Sequence, residues 1–332
     1  MSNENSDNIV LSAHRQVVDH LDMIVSEKRL VHSYIFVGLA GMGKDIIARH
    51  FMRSLLCTTS SSGGCKECQV CRLLSSGSSP DLFRLDVMEG ETQISIDSVR
   101  EWQRKLHQKP VFSQFKIGFI SEAERLSAGA AHALLKTLEE PPDNTIIIML
   151  VPSPENLLPT IVSRSQSLYL PSLSEKDLSR LLVPYCDEET AKIVTQLSAR
   201  RPRRAAQLLA DEAEIAAVKE AIEESYVLLG ATEFDRLQRI NNRLTGDFGE
   251  NKIAAQKMAE AVVVAARDAL LAQVGASAAA HLRGYQASTQ QVSQRLEMND
   301  LLRGLENLLL LERKWEVNAN PRLAIESLLL NI

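Results

Sequence analysis

The chain has few aromatic residues and no excess of positive charge. Aromatics make up 5% of its 332 residues, and 37 lysines and arginines are outnumbered by 42 aspartates and glutamates, which gives a net charge of −5. This composition excludes a general electrostatic attraction to nucleic acid, so any such contact requires a local basic patch. With 45% hydrophobic and 24% charged residues, the chain is of the globular class and has room for two or three domains.

Long apolar segments are also absent from the sequence. The apolar run at 146–151 is far too short to cross a bilayer. The N-terminal residues, MSNENSDN, contain no basic stretch followed by an apolar one, so we see no signal peptide. We therefore expect a cytoplasmic protein that is not inserted in a membrane.

Cysteine is rare outside one cluster. Four of the five cysteines are Cys57, Cys65, Cys68 and Cys71, and Cys186 stands alone. In a chain without a secretory signal, such clustering favours a metal site over disulfides. Two-residue spacings allow one turn to present neighbouring thiolates, and four thiolates form the closed tetrahedral set of structural zinc sites. The spacing predicts a structural Zn²⁺ module rather than four unrelated cysteines.

A glycine-rich stretch, GLAGMGKD at 38–45, follows the apolar run at 34–37 and precedes a helical pattern. Gly38, Gly43 and Lys44 match the phosphate-binding pattern G-x-x-x-x-G-K, in which loop amides and the lysine bind phosphates. Asp45 stands where a serine or threonine hydroxyl normally holds Mg²⁺. A carboxylate at this position would repel the β- and γ-phosphates at close range.

Short apolar runs alternate with helical patterns in the first half of the chain. We expect buried strands at 34–37, 82–87, 117–120, 145–151 and 168–170. Helices are expected between them at 96–107 and 123–140, the second of which ends before Pro141. Alternating strands and helices predict a parallel sheet.

Strand-like runs cease after Pro171. Short helices are expected up to about residue 212, followed by longer ones at 215–229, 234–244, 252–274 and 290–315 and a last one after Pro321. The predicted fold class is therefore α/β, with a P-loop domain over 1–171 that includes a zinc module at 57–71. A small helical domain over 172–212 and an all-α domain over 213–332 complete the predicted organisation.

A second magnesium contact is altered as well as the first. In working P-loop ATPases, an aspartate at a strand end helps to hold Mg²⁺ and an adjacent glutamate positions water. In the stretch KIGFISEAERL, Ser121 occupies the aspartate position and Glu122 remains. Two altered positions together indicate that ATP hydrolysis has been lost.

The order of several motifs resembles a known family. The stretches RLVHSYIFVGLAGMGKDIIARHF, VREWQRKLHQKP, AERLSAGAAHALLKTLEEPP, LLPTIVSRSQSL and NANPRLAIESLLL, together with the four-cysteine insert, resemble the delta-prime subunits of bacterial DNA polymerase III clamp loaders, which are AAA+ relatives. The resemblance extends from about residue 10 to the end. It implies an AAA+ domain, a helical lid and a helical collar that assembles a pentamer.

The resemblance also implies a role and partners. Delta-prime subunits commonly carry defective nucleotide sites and serve as a rigid partner for ATP-binding gamma/tau subunits. The implied function is that of a non-hydrolysing subunit of a hetero-oligomeric loader with gamma/tau and delta, which places the sliding clamp on primer–template DNA during replication. The chain would then be part of the DNA-directed DNA polymerase complex without activity of its own. Its phosphate loop would hold ATP weakly or not at all.

The family's functional arginine lies in a Ser-Arg-Cys motif and is donated to a neighbouring subunit's ATP. It corresponds to Arg164 in Ser163-Arg164-Ser165, where serine replaces the cysteine. Because the guanidinium supplies the electrostatic stabilisation, the replacement leaves this role intact. Without the resemblance, Arg164 reads as a surface residue.

Two basic clusters remain. Arg100, Arg104 and Lys105 lie along the predicted helix 96–107, which in related loaders follows the DNA backbone; a solvated helix face is the alternative. The second cluster is Arg200, Arg201, Arg203 and Arg204, in the region where relatives carry a nucleotide-sensing arginine. A subunit interface or a DNA contact are equal alternatives for it. Glu139 and Glu140, before Pro141, are interpreted as a helix end without a catalytic role.

Two other functions compete with this interpretation. The chain could be an active ATPase of the gamma/tau type with unusual magnesium ligands, but Asp45 and Ser121 argue against that. A P-loop kinase acting on small molecules would need neither the zinc module nor the helical C-terminal region.

Overall fold

The computed structural model describes residues 3–60, 62–88, 90–246, 248–277, 280, 282–315 and 320–329. The chain groups into two compact units. The first comprises residues 1–182 and 201–207, and the second comprises residues 183–200 and 208–332. The prediction of three domains with boundaries at 171 and 212 stays a prediction.

A parallel sheet forms the centre of the first unit. Within the described residues it has five strands in the order β2-β3-β4-β1-β5. The strands are β1 (Ser33–Val37), β2 (Leu82–Leu85), β3 (Lys116–Ile120), β4 (Thr145–Val151) and β5 (Gln166–Tyr169). Strand β4 lies between β3 and β1, and all seven of its residues are buried. Its uninterrupted apolar sequence follows from this position, because helices cover both faces of such a sheet.

Helices surround this sheet. They are α1 (Asn3–Ala13), α2 (Arg15–Ser26), α3 (Lys44–Leu56), α4 (Gln69–Ser75), α5 (Ile96–Leu106), α6 (Ala128–Glu139), α7 (Pro159–Val162) and α8 (Glu175–Leu182). The residues of β1 alternate between two apolar clusters. Tyr34 and Phe36 join the cluster that contains α3, whereas Ile35 and Val37 join the cluster that contains α5 and α6. The sheet thus has a core on each face.

The predicted α/β class with a parallel sheet is confirmed, and one predicted helix is divided. The range 123–140 consists of a 3-10 turn, Ala123–Arg125, and the separate helix α6. Leu126 between them is extended, and the Ser127 side chain accepts a hydrogen bond from the Ala130 amide to cap α6. A serine cap outcompetes continuation of the helix at this point.

The second unit is helical. It contains α9 (Glu188–Leu197), α11 (Glu212–Gly230), α12 (Glu233–Arg243), α13 (Phe248–Gln273), α14 (Gln286–Arg295), α15 (Met298–Trp315) and α16 (Pro321–Leu329), and the last residues of α10 (Pro202–Ala210) also belong to it. Helix α13 packs against α11, α14, α15 and α16, so it is the central helix of this unit. The helical C-terminal region predicted from the sequence is confirmed.

The prediction of one continuous helix over 290–315 is also wrong. Its range is occupied by α14 and α15, which are separated at Leu296, an extended residue. The Gln273 side chain donates hydrogen bonds to the carbonyls of Ser293 and Leu296, each at 2.7 Å. These bonds satisfy carbonyls at the end of α14 and thus stabilise the break.

Among the described residues, no helix has the length and apolar character required to cross a bilayer.

Candidate functional site

The glycine loop lies between β1 and α3, as predicted. Gly43, which precedes α3, has φ +94°, and a Cβ there would lie 2.3 Å from Cγ1 of Val10. Only glycine fits this conformation and this close contact with α1. The buried His14 ring also reaches the loop, with Nε2 3.0 Å from the Met42 carbonyl oxygen. The start of the chain therefore packs directly against the phosphate-binding motif.

The Lys44 ammonium is bonded to the loop itself. Its Nζ donates to the Gly38 carbonyl and, at 3.4 Å, to the Leu39 carbonyl. Burial lowers the pKa of Lys44, while the carboxylates of Glu124 and Asp45 oppose this shift. The cationic group of the motif is thus present, and its hydrogen bonds are directed to backbone oxygens of the loop.

Asp45 is paired with two arginines. Its Oδ2 lies 3.2 Å from Nη1 of Arg203 and 3.5 Å from Nη2 of Arg49. All three side chains are between 32% and 39% exposed, so the pairs are only partly screened by water. The basic residue of α10 thus binds the carboxylate that stands in place of the usual hydroxyl. Both charged residues are evident in the sequence, but nothing in it predicts that Asp45 and Arg203 form an ion pair.

Helix α10 is attached to the loop through its backbone as well. The amides of Arg203 and Arg204 donate to the Gly41 carbonyl at 3.0 and 3.2 Å. The guanidinium of Arg201 donates to the Ala40 carbonyl at 3.3 Å. The first amides of a helix have no partner within the helix, and here a loop carbonyl supplies one. Three of the four arginines of the predicted cluster, Arg201, Arg203 and Arg204, therefore contact the loop.

At the second magnesium position, the described residues place a hydroxyl that is bonded to a neighbouring carboxylate. The Ser121 hydroxyl donates to Oδ1 of Asp86 at 2.7 Å, and the same carboxylate accepts from Arg84 at 3.0 Å. Glu122 lies 3.3 Å from Nη1 of Arg125. The acidic side chains near the end of β3 are thus engaged with neighbours in the chain.

The four clustered cysteines come together as predicted. Their sulfur atoms all lie within 4.8 Å of one another, with Cys57 to Cys68 at 3.9 Å and Cys65 to Cys71 at 4.0 Å. Zinc–sulfur bonds of ~2.3 Å in a tetrahedron require sulfur separations of about 3.8 Å. The donor set therefore fits Zn²⁺.

Backbone amides support thiolates in this cluster. Amides of Cys65, Cys68 and Cys71 each donate to the sulfur of the preceding cysteine of the set, at 3.2–3.4 Å. Burial opposes ionisation of Cys57, but hydrogen bonds from Thr59 and neighbouring amides outweigh it and lower its pKa to about 5. Burial raises the pKa of the Cys71 thiol. A coordinated metal cation would ionise that thiol outright.

Arg164 lies two residues beyond α7, and its side chain is 37% exposed. Its Nη2 is 2.8 Å from Oε1 of Glu139, and its Nη1 donates to the Thr160 carbonyl at 3.2 Å. The neighbouring Ser165 hydroxyl lies 2.8 Å from that of Ser33 in β1. The backbone beside the arginine is thereby fixed to the sheet. Sequence reasoning had given Glu139 no role.

The predicted DNA-contact residues do not form a single group. Arg100 and Arg104 line a groove of about 790 Å³ between α5 and α6, together with His107 and Lys136. Lys105 is not among the residues that line it, and its ammonium lies 2.8 Å from Glu101. Two of the three predicted residues thus share a groove that is basic only in balance, because Arg100, Arg104 and Lys136 outnumber Glu140 and Asp97, the latter 3.4 Å from Arg100. Lys136 was missed because it belongs to another helix.

The parallel sheet, the glycine loop after β1 and the thiol cluster define an α/β domain with a P-loop-like motif and a candidate metal site. Residues 13–174 match the model of the family described as DNA polymerase III, delta subunit. Together with the delta' relatives described next, this match confirms the resemblance to delta-prime subunits of the bacterial clamp loader for this part of the chain.

Individual relatives agree with the family match. DNA polymerase III subunit delta' of Pseudomonas aeruginosa is 40% identical over 134 residues, which cover 40% of this chain and 41% of that protein. The corresponding subunit of Escherichia coli is 36% identical over 140 residues, 42% of each chain. DNA polymerase III subunit tau/gamma of Haemophilus influenzae is 34% identical over 166 residues, 50% of this chain and 24% of that protein. The chain therefore spans less than half the length of these relatives.

Proposed function

We propose that this chain is a clamp-loader subunit that does not hydrolyse ATP. It assembles with gamma/tau and delta subunits into a DNA polymerase III clamp loader and supplies Arg164 to a neighbour's ATP. Through that complex it supports loading of the sliding clamp onto primed DNA. The relatives named above are subunits of the same polymerase, which supports these partners.

The Asp45–Arg203 pair carries the proposal that the chain's own site is silent. A hydrolysing P-loop needs a hydroxyl and a strand-end carboxylate to hold Mg²⁺ on the β- and γ-phosphates. Here Asp45 pairs with Arg203 and Arg49, and Ser121 replaces the second ligand. A triphosphate would have to displace these pairs while approaching a like charge. Only weak phosphate binding through Lys44 and the loop amides remains.

The position of Arg164 supports the role in trans. Its backbone is fixed beside β5, whereas its guanidinium is partly exposed. In a ring that binds each nucleotide at a subunit boundary, such a group can stabilise charge on the neighbour's γ-phosphate. Arginine fingers of GTPases contribute about 10³–10⁵-fold to the rate.

The groove between α5 and α6 supports a contact with the primer–template backbone. Its cationic groups are positioned on facing helices, and phosphate contacts of this kind bind DNA without reading its sequence. Arg100 and Arg104 are the predicted residues in it, with Lys136 added by the structure. Arg100 and Lys105 contribute fully only when their pairs with Asp97 and Glu101 open.

The alternative is a gamma/tau-like ATPase. The similarity to the tau/gamma subunit of Haemophilus influenzae favours it over unrelated functions. It predicts steady ATP turnover by the isolated chain that is abolished by Lys44→Ala.

Reconstitution tests the proposal. The isolated chain is expected to show no ATP turnover, and the loader rebuilt with gamma/tau and delta to show turnover stimulated by DNA and clamp. Arg164→Ala should lower that turnover and clamp loading while leaving assembly intact. Arg164→Lys should restore little, because an ammonium lacks the planar fork of donors. Arg29→Ala, which removes another exposed and ion-paired arginine, is the control. Wild-type loading by the Arg164→Ala loader at limiting ATP would refute the finger role.

A further inference from the structure

Glu139 occupies an unfavourable position for a carboxylate. It is the last residue of α6, and the negative end of a helix dipole destabilises an anion there. Lys136 in the same turn follows the usual preference for cations at this end. The helix dipole therefore does not stabilise the negative charge of Glu139. That stabilisation has to come from the group with which Glu139 is paired.

That partner is Arg164. The carboxylate lies 2.8 Å from one terminal nitrogen of the guanidinium, and the other terminal nitrogen is bonded to the Thr160 carbonyl. Both terminal nitrogens thus have acceptors within the chain. The guanidinium still has other N–H donors, but a γ-phosphate that approaches them would be repelled by the Glu139 carboxylate, so its binding favours exchange of that bond.

Such an exchange needs little rearrangement. Glu139 is 52% exposed and Arg164 is 37% exposed, so solvent screens the pair and weakens it. A phosphate carries more charge than a carboxylate and accepts charge-assisted hydrogen bonds equally well. The Ser165–Ser33 contact keeps the adjacent backbone in place, so the exchange involves the side chain alone.

We propose that Glu139 is the resting counter-ion of Arg164. It holds the guanidinium in a defined position until a triphosphate bound by the neighbouring subunit displaces it. This inference rests on the function proposed above, and it makes Glu139 a positioning residue that competes with ATP. Its removal should increase the apparent affinity for ATP without impairing the chemical step.

Glu139→Gln in the reconstituted loader tests this inference, because the amide keeps the shape of the side chain and removes its charge. The KM for ATP of DNA- and clamp-stimulated turnover should fall about twofold to fivefold, the range expected for loss of an exposed ion pair, while kcat stays unchanged. Glu155→Gln, an exposed residue in the same unit, is the matched control and should leave KM unchanged.

The double variant Glu139→Gln/Arg164→Ala separates this role from a structural one. The KM change should be absent when Arg164 is absent, and thermal stability should be the same in all variants. A KM shift of equal size in the Arg164→Ala background, or no shift in Glu139→Gln alone, would overturn the inference. If Arg164→Ala leaves turnover unaltered, the finger role itself fails, which is a distinct outcome.

Discussion

The Asp45 carboxylate lies 3.2 Å from the guanidinium of Arg203, at the position where hydrolysing phosphate loops carry a hydroxyl. The carboxylate of the loop motif thus binds a basic residue of α10. The pairing links the unusual residue of the motif to the arginine cluster, two features that are far apart in sequence.

Asp45→Ser should increase the affinity of the isolated chain for Mg²⁺-ATP. The substitution removes a like charge beside the phosphates, releases two arginines and restores a hydroxyl, which we expect to tighten binding about tenfold or more. Hydrolysis should remain undetectable because Ser121 is unchanged. Titration with a fluorescent ATP analogue measures the gain, and Lys44→Ala in the same background should cancel it. Equal binding by the wild-type chain and Asp45→Ser would contradict this account.

The thiol cluster should retain about one zinc per chain in reduced, unchelated protein. Cys68→Ser should lose most of it, because a hydroxyl is a poor replacement for a thiolate ligand, and α4 should become more susceptible to proteolysis. Elemental analysis reads out the metal content. Cys186→Ser, which lies outside the cluster, should keep the metal. Wild-type protein without stoichiometric metal would disprove the assignment.

His14 should make the stability of the first unit depend on pH. Burial lowers its pKa from 6.5, although the bond to the Met42 carbonyl raises it, so the folded state favours the neutral ring. Below pH 6.5 the unfolded chain binds the proton first, and the contribution of His14 falls as the pH decreases towards the folded pKa.

Urea unfolding of His14→Gln tests this expectation. The stability difference from the parent chain should be largest at about pH 7.5 and shrink towards about pH 5.5. Trp102 fluorescence in a Trp315→Phe background reports on the first unit, where Trp102 is buried. A difference that does not vary with pH would exclude titration of His14.

Arg236 should be essential to the helical unit. Its buried guanidinium donates to the carbonyls of Leu228, Leu229 and Leu329 at 2.8, 3.1 and 2.6 Å, which are at or near the ends of α11 and α16. Arg236→Met leaves these carbonyls without their donors and should cost about 2–4 kcal/mol of unfolding free energy.

The control for Arg236 lies on the same helix. Arg239 pairs with Glu224 at 3.1 Å but is 46% exposed. Arg239→Met should therefore cost less than about 1 kcal/mol. Urea denaturation followed by circular dichroism compares the two variants. Similar losses for both would show that burial does not determine the contribution of Arg236.

The inner strands β1, β3 and β4 were predictable because all of their residues are buried, and 145–151 matches β4 in full. The outer strands β2 and β5 are partly exposed, and their predicted bounds differ from the observed ones by about two residues. Helix breaks were not, because they depend on local competition: the cap at Ser127 and the Gln273 bonds to the end of α14. Helix α1 was not predicted because most of its residues are polar, and the contact of Val10 with Gly43 cannot be recognised from the sequence.

For the candidate site, spacing alone predicted the thiol cluster, since its ligands are close in the chain. The partners of Asp45 and Arg164 were beyond such reasoning. Arg203 and Glu139 come from other elements, and only the fold brings the opposite charges together. Motifs therefore indicated the candidate groups, whereas the residues that pair with them depend on tertiary contacts.

Gly118 in β3 affects the basic groove through the packing of α5, although it contributes no charge. A Cβ at this position would lie 2.4 Å from the Trp102 ring, whose Nε1 donates to the Phe83 carbonyl at 2.8 Å. The absence of a side chain on the strand therefore sets the height of α5 above the sheet. A single added methyl group would force the Trp102 ring to move, and we expect this to shift α5 and the direction in which Arg100 and Arg104 project, while their number and charge stay the same. The positions of the charges in the groove thus depend on the packing below α5, at a residue that has no side chain.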